Sequence, residues 1–556
     1  MNEYGYVADF ETLNDNTEYT YVWAWALCNI ENSESVELGT SIVTFIDRIK
    51  NIKKIYFHNA NFDCSFIIDY LFRNGFKCVE TGKRENKSFS IIKSDTNKLY
   101  LLDITWSYKS SKKFTHTQIL DSYKKLPFSV DSIAKAWNLP ISKLKIDYKQ
   151  HREENGMLTN EEKEYIKNDV IIIAKALYSL LSDGNIRMTI GADAIAHFRA
   201  TKNKEDLKKL LPAITIEEDE FFRKAYKGGF TYVNEKYKNK EVKSGLVFDV
   251  NSLYPSRMYF CPMPCGKPKY YKGAYKQNKL YPLYIAHIIV NFEIKKDHIP
   301  CIQLKNNLSF MPTEYIKSTN NESVDLYLSS VDYELFIQQY NIISIDFVDG
   351  FMFKTCKDLF KEYIDYFMEI KKNSTGAKRT EAKLFLNNLY GKFGTNPVKK
   401  SKIAYYDEEL KIVKYRLNEE TINTPPYTPL AVFITAYARY LTITSAQQLY
   451  QRFIYADTDS LHLEGLEIPD NIDIDDKELG KWAHEATFTR AKFIRAKTYI
   501  EEINNELKVT CAGLPARSHS QVTWENFHSG TEYGEKLIPK VVKGGTILVE
   551  STFKIK

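Results

Sequence analysis

The sequence predicts a mixed α/β (α+β), multidomain protein, and three observations carry that expectation. The chain has 556 residues, more than one core accommodates, so three or four domains are expected. Its apolar residues recur with a period of two in some segments and 3.6 in others, and neither pattern dominates. Acidic residues close apolar, strand-like runs in two widely separated parts of the chain. Two sheets should therefore present carboxylates at their ends.

Taken in order, residues 4–10 and 19–30 read as strands, and 52–72 as strand, loop and helix. Helical periodicity returns at 129–137 and 160–182, where Ser182-Asp183-Gly184 supplies a stop. This mixture closes a first unit near residue 190. The run GLVFDV (245–250) opens a second core, which IYADTDSLHLEG (454–465) rejoins. Between them lie a mixed segment (261–359), a long helical stretch (360–393) and a two-stranded pattern (397–426). In the last, KIAYY and KIVKYRL flank Asp407-Glu408-Glu409, which predicts a hairpin. Lys399, Lys400, Lys402, Lys411 and Lys414 mark it as an arm outside the core.

Composition is ordinary for a globular protein, with 44% hydrophobic and 27% charged residues. The 39 Tyr and 32 Phe, with abundant Lys, suit bases and phosphates, although rings also fill large cores. A net charge of +6 permits a polyanionic partner without demanding one. Among eight Cys only Cys261 and Cys265 are close, and no second pair completes a zinc spacing. The chain opens without a basic-then-apolar leader, and the apolar run 429–443 is broken by Arg439 and too short for a bilayer. A cytoplasmic protein with reduced thiols and no membrane contact is expected.

The first acidic set begins with Asp9 and Glu11 at the end of a strand. Residues two apart share a face, so two carboxylates crowd one spot and repel unless a cation intervenes. Asp-x-Glu alone is equally a solvated strand end. His58-Asn59-Ala60-Asn61-Phe62-Asp63 adds an acid, an amide and a ring after a second strand. Tyr165 and Asp169 stand four apart on one helix face, where hydroxyl and carboxylate address one ligand.

The second set is Asp249, closing GLVFDV, with Asp457 and Asp459 in YADTDS. Asp-Thr-Asp also suits a plain turn. Acids brought together from separate strands hold two Mg²⁺ about 3.5–4 Å apart, an arrangement that serves phosphoryl transfer. Between the two halves, Lys383, Asn387 and Tyr390 recur at i, i+4 and i+7, one helical stripe. A cation, an amide and an aromatic ring there match phosphate, base edge and base face; a solvated basic face is the bland alternative. Lys371 and Arg379 add charge upstream.

These segments together resemble the motifs of proofreading family B DNA polymerases, and over practically the whole chain those of the protein-primed, phi29-like phage type. YIKNDV, YKGGF, LYGKFGTNP, YTPLAVFITAYARY, LGKWAHEATF and CAG (511–513) carry the closer likeness. The resemblance implies a ribonuclease H-like 3′→5′ exonuclease domain (1–190) and a right-hand polymerase. The latter divides into palm (191–260 and 427–511), fingers (360–396) and thumb (512–556), with terminal-protein-region inserts at 261–359 and 397–426. It implies that Asp9, Glu11, Asp63 and Asp169 hold two metals, that Tyr165 orients the attacking water, and that Lys143, in KLKIDY (143–148), meets the scissile phosphate. Thr12, His58, Asn59, Phe62 and Ser122 would grip the frayed primer. Asp249, Asp459 and the Val250 carbonyl would bind two further ions beside Asp457, Mg²⁺ or else Mn²⁺. Tyr254 would exclude a 2′-hydroxyl, and Lys371, Arg379, Lys383, Asn387 and Tyr390 would bind the nucleotide. Tyr226, Gly228 and Gly229 (a Tyr-x-Gly-Gly linker), Thr435, Arg439, and the Lys497-x-Tyr499 pair on one strand face would touch DNA.

Asn388 departs from the family's usual serine, and the stretch between Tyr499 and Cys511 is short. Partners implied are template–primer DNA, deoxynucleoside triphosphates and a terminal protein, bound as a heterodimer by an otherwise monomeric enzyme at initiation. Strand displacement and processive synthesis come with the same likeness. Three alternatives stand beside it: a nucleic-acid-primed family B enzyme, a nuclease with a decayed polymerase half, and a non-catalytic nucleic-acid-binding scaffold.

Overall fold

The computed structural model describes the chain except residues 1, 2, 16, 145, 148, 149, 305–310 and 312. Lys145 and Tyr148 of the 143–148 segment, and part of the 261–359 insert, thus lie outside the described residues.

Eight strands form the first sheet: β1 (Tyr6–Thr12), β2 (Val22–Asn29), β3 (Val36–Gly39), β4 (Lys54–Phe57), β5 (Lys77–Cys78), β6 (Ser88–Lys93), β7 (Leu99–Ser110) and β8 (Lys113–Asp121). Their order is β3-β2-β1-β4-β8-β7-β6-β5. β4 pairs in parallel with both β1 and β8, so three carboxyl-terminal strand ends meet at one edge. Helices α1 (Ile42–Ile49), α2 (Asp63–Arg73), α3 (Val130–Ala136) and α4 (Asn160–Ser182) surround the sheet, with α4 against β1 and β2. A capping box starts α4: Thr159 and Glu162 exchange side-chain and backbone hydrogen bonds. The long pair β7–β8 was not anticipated, because the lysines around its turn mask two half-buried strands.

Helices α5 (Ile190–Ala200), α6 (Lys204–Leu210) and α7 (Ile216–Ala225) lead to β9 (Thr231–Val233), β10 (Glu241–Val242), β11 (Gly245–Val250) and α8 (Leu253–Phe260). The 261–359 region contributes β12 (Met263–Lys272), β13 (Leu283–Ile294), β14 (Val324–Ser329), α9 (Ser330–Gln339) and β15 (Tyr340–Cys356), its strands ordered β12-β15-β13-β14. Then come α10 (Lys361–Asn373), α11 (Gly376–Asn388) and α12 (Tyr390–Phe393). The expected hairpin follows as β17 (Lys402–Asp407) and β18 (Ile412–Leu417), with β16 (Val398–Lys399) and β19 (Thr421–Ile422) at its base. It is not wholly outside the core: Ala404 and Val413 join the apolar cluster of the first unit, and Tyr406 meets Phe72. The lysines occupy the other positions.

α13 (Pro429–Gln448) is apolar on nearly every side and buried along most of its length, packed against α8, α9 and α12. β20 (Phe453–Asp457) and β21 (Ser460–Glu464) return to the central sheet, which β22 (Trp482–Phe488) completes in the order β22-β11-β21-β20-β9. β23 (Arg490–Arg495), β24 (Thr498–Ile503) and β25 (Glu506–Cys511) build a second small sheet with β10. The terminal hairpin, β26 (Glu532–Val542) and β27 (Gly545–Lys554), returns to the first unit. There the Thr20 N–H donates to the Lys543 carbonyl at 2.9 Å and the Leu548 N–H to Asn14 Oδ1 at 3.0 Å.

Candidate active sites

In the first unit, β1 places Asp9 and Glu11 on one face, and α2 begins with Asp63 after the 58–62 loop that follows β4. α4 presents Tyr165 and Asp169 one turn apart, both buried. Burial and Asp169 push Asp9 up to about 7. Burial, then Asp9 and Asp169, hold Glu11 well above the carboxylate range, and burial with Asp9 does the same to Asp63. Lys143 forms an ion pair with Asp169 Oδ2 and lies 5.7 Å over the Tyr165 ring. Among the described residues no three His, Cys, Asp or Glu groups already stand in ligand geometry. Yet Asp169 Oδ1 is buried with no hydrogen-bond partner. An orphaned oxygen among mutually repelling acids fits a cation.

The primer-gripping set divides. Asn59, held at φ 65° with its N–H on Asp121 Oδ1 at 2.9 Å, is exposed, and Thr12 and Phe62 are partly so. Ser122 is enclosed instead: its hydroxyl donates to the Phe57 carbonyl at 3.1 Å and lies 3.0 Å from His58 Nδ1. His58 Nε2 lies 2.8 Å from the Phe128 carbonyl, and burial lowers its pKa. The pair braces the loop that carries Asn59 and Phe62, with Ser122 buried beneath it and His58 partly exposed.

In the central sheet, Asp249 of β11 lies opposite Ser460 of β21, and the Val250 N–H donates to the Asp459 carbonyl at 2.8 Å. A left-handed Thr458 (φ 64°) makes the turn that sets Asp457 and Asp459 apart. Burial, Asp459 and Glu485 push Asp249 up to about 7; burial foremost raises Asp459. Glu485 was missed. It sits in a bulge where β22 slips against β11, between Ala486 opposite Val247 and His484 opposite Phe248. Such a slip re-aims a side chain without a sequence signature. Asp457 is held by Thr231 Oγ1 at 3.1 Å and by Lys497 Nζ at 2.7 and 2.8 Å. Lys497 is not on the strand as expected: it occupies the turn before β24 at φ 56°, which lets its ammonium reach Asp457.

The stripe keeps Lys383 and Asn387 exposed on α11. Tyr390, one turn on, stacks on Tyr254 with centroids 4.1 Å apart. Lys371 Nζ donates to Ser252 Oγ at 2.9 Å; burial, then Lys383 and Arg379, lower it to about 8. Arg379 Nη1 caps the Lys371 carbonyl at 2.6 Å. Asn388 Nδ2 donates back to the Leu384 carbonyl at 2.8 Å, an intrahelical bond at the α11–α12 junction.

A side chain at Gly229 would strike Thr458, its Cβ falling 2.6 Å from Thr458 Oγ1, so the glycine lets the 226–229 segment lie on the acidic turn. Gly228 faces open space, and Tyr226 is partly buried. Two expected DNA contacts are internal instead. Arg439 is 4% exposed, paired with both Asp332 oxygens at 2.8 Å, and donates to the Lys227 and Gly228 carbonyls at 2.8 Å. Thr435 is buried and donates to Ala431 O at 3.0 Å. A buried guanidinium needs such partners, so Arg439 fastens the 226–229 segment to α13 from behind.

A family model described as "DNA polymerase type B, organellar and viral" matches residues 46–162 and 149–478. The chain is 43% identical over 572 residues to the DNA polymerase of Bacillus phage phi29, covering 99% of each, and 32% identical to that of Streptococcus phage Cp-1, covering 99% of this chain and 98% of the other. A solved structure of phi29 DNA polymerase with primer–template DNA and incoming nucleotides matches with a TM-score of 0.94 at 42% identity, over 99% of this chain and all of that one. The chain belongs to the organellar and viral type B DNA polymerases.

Proposed function

We infer that this DNA-directed DNA polymerase is protein-primed and proofreading, with synthesis at Asp249/Asp459 and excision at Asp9/Glu11/Asp63/Asp169. The junction of Asp249 and Asp459 carries the reading: an acid at the end of β11 and one in the turn before β21 are locked together by the Val250–Asp459 bond, and Asp459 raises the proton affinity of Asp249. Bound there, a pair of Mg²⁺ or Mn²⁺ ions would activate the primer hydroxyl and neutralise the triphosphate. Asp457 supports the turn through Lys497. Lys383, Lys371 and Arg379 neutralise the triphosphate, and Tyr254 with Tyr390 receives base and sugar. In the first unit, Lys143 steadies Asp169 and the scissile phosphate, while Tyr165 orients water. Asn59, Phe62 and Thr12 hold a single-stranded end on the loop braced by His58 and Ser122.

The palm, fingers, thumb and two inserts follow the divisions given above. The inserts support the terminal-protein reading, and replication in a host cytoplasm accords with the phage relatives. Among the described residues no helix is long and apolar enough to cross a membrane. Incubation with labelled deoxynucleotide, template and the cognate terminal protein should yield nucleotide covalently joined to that protein. Extension from oligonucleotides alone, with none on the protein, would assign nucleic-acid priming instead.

A further inference from the structure

α4 does two things at its two ends. Its first half carries Tyr165 and Asp169; Ser179, about 15 Å further along the same helix, donates to Glu381 Oε1 on α11 at 2.5 Å. Glu381 is only 4% exposed, and its other oxygen lies 3.2 Å from Lys378 Nζ, which also pairs with Asp183 just beyond α4. Burial raises the pKa of Glu381, while Ser179 and Lys378 oppose that rise. A polar strap of four side chains therefore ties the stripe helix to the helix of the excision site.

α4 buries Ile172, Ile173, Leu177 and Leu180 in the main core, and α11 buries Ala382, Phe385 and Leu386 in the same core. Beside the strap, a cavity of about 280 Å³ lined by His197, Phe367, Glu381 and Phe385 leaves α11 incompletely packed. Beyond α11, Tyr390 stacks on Tyr254 at 4.1 Å, too close to admit a base between the rings. Entry of a base between the rings thus requires Tyr390, at the start of α12, to move, and the cavity leaves the adjoining α11 space to follow.

We propose that Glu381 is a positioning residue whose bond to Ser179, with Lys378 held between Glu381 and Asp183, restrains the nucleotide-binding helix against the excision domain, so that triphosphate binding competes with this contact. The proposal rests on the reading of the Lys383–Tyr390 stripe as the nucleotide site. Because coupling is reciprocal, the strap sets the triphosphate concentration at which the enzyme turns from shortening a primer to extending it.

Glu381→Leu removes both bonds and places an apolar group against Phe385. It should lower KM for nucleotides about three- to tenfold, the size of one net hydrogen bond, with kcat and single-strand degradation unchanged. The turnover point between excision and extension should fall by the same factor. Ser179→Ala should give part of this shift and add nothing to Glu381→Leu. Glu381→Gln, which keeps the Ser179 bond and the fold, should fall between. Unchanged or raised KM in folded Glu381→Leu, or in both Glu381→Gln and Ser179→Ala, overturns the proposal, as does simple additivity. Lys383→Ala separates the two readings: it should raise KM. If it does while Glu381→Leu changes nothing, the strap alone is wrong; if Lys383→Ala leaves KM unchanged, the nucleotide reading falls and the strap with it.

Discussion

In the first unit Glu11, Asp63 and Asp169 are 7%, 5% and 4% exposed, whereas Asp249, Asp457 and Asp459 stand partly exposed at the open end of the central sheet. Asp9 and Asp249 nonetheless both rise to about 7, chiefly through burial and a neighbouring acid. The deep cluster draws its acids from three elements and has Lys143 against Asp169. The shallow one draws them from the end of β11 and from the end and turn of β20, two strands separated by β21, and its nearest lysine grips Asp457, set apart by the Thr458 turn. The enclosed set suits a single strand fed end-on, and the open one a duplex with a nucleotide beside it.

Breaking each set in turn gives the largest expected effects. Asp249→Ala or Asp459→Ala should lower kcat for nucleotide addition by about 10³-fold or more, since a metal ligand is worth several kcal/mol in the transition state. Degradation of single strands from the 3′ end should survive. Asp9→Ala with Glu11→Ala should do the reverse and raise the error rate. Gel assays of extension and excision on one primer check both, and parallel loss of the two activities would dissolve the distinction.

Deleting residues 399–422 through a Gly-Ser link tests whether the open site depends on an enclosing wall. Filling of short gaps should persist, but synthesis should stall at duplex, where each step costs about 1.4 kcal/mol of stacking. Because Ala404 and Val413 seat on the first unit, a lower melting temperature is expected too. Tyr254→Val should narrow discrimination against ribonucleotides about 10- to 200-fold, measured as the ratio of kcat/KM values, and leave excision untouched.

The smallest effect concerns Lys93, at the seam between hairpin and first unit. It is 5% exposed, donates to Asn61 Oδ1 at 2.6 Å and lies 3.9 Å over the Tyr415 ring. Burial lowers its pKa to about 8. Between pH 8 and about 10.5 the unfolded chain then binds more protons than the folded one, so stability from this residue rises with pH across that window and is penalised below it. Relative to Lys93→Met, the parent should gain on the order of 1–3 kcal/mol from pH 7.5 to 10, read as converging melting temperatures.

The sequence made strands closed by acids legible: β1, β11 and β20 carry toward their ends Asp9 and Glu11, Asp249 and Asp457, and α4 announced itself by Thr159, Glu162 and the Ser182-Asp183-Gly184 stop. Features that depend on a long-range partner stayed hidden. Arg439 reads as a surface cation until Asp332, more than a hundred residues away, neutralises it inside α13. Ser122 became a brace because β8 lies beside β4. Lys497 left its strand for a left-handed turn, and Glu485 joined the acids through a one-residue slip. The hairpin's buried residues were hidden among its lysines, Lys402 standing two before Ala404 and Lys414 next to Val413.

The terminal hairpin has a consequence for the order in which the molecule is made. Its bonds to Thr20 and Asn14, and the seat of Gly545 on the Phe66 ring, join the last fifty residues to the first seventy. During synthesis at about 5–20 residues per second, the first sheet is complete and able to fold while most of the chain is still unmade. The central sheet must wait for β22, and the terminal junction for the final residues. An interrupted chain could thus carry a finished excision site, yet it could not close the circuit that joins its two ends.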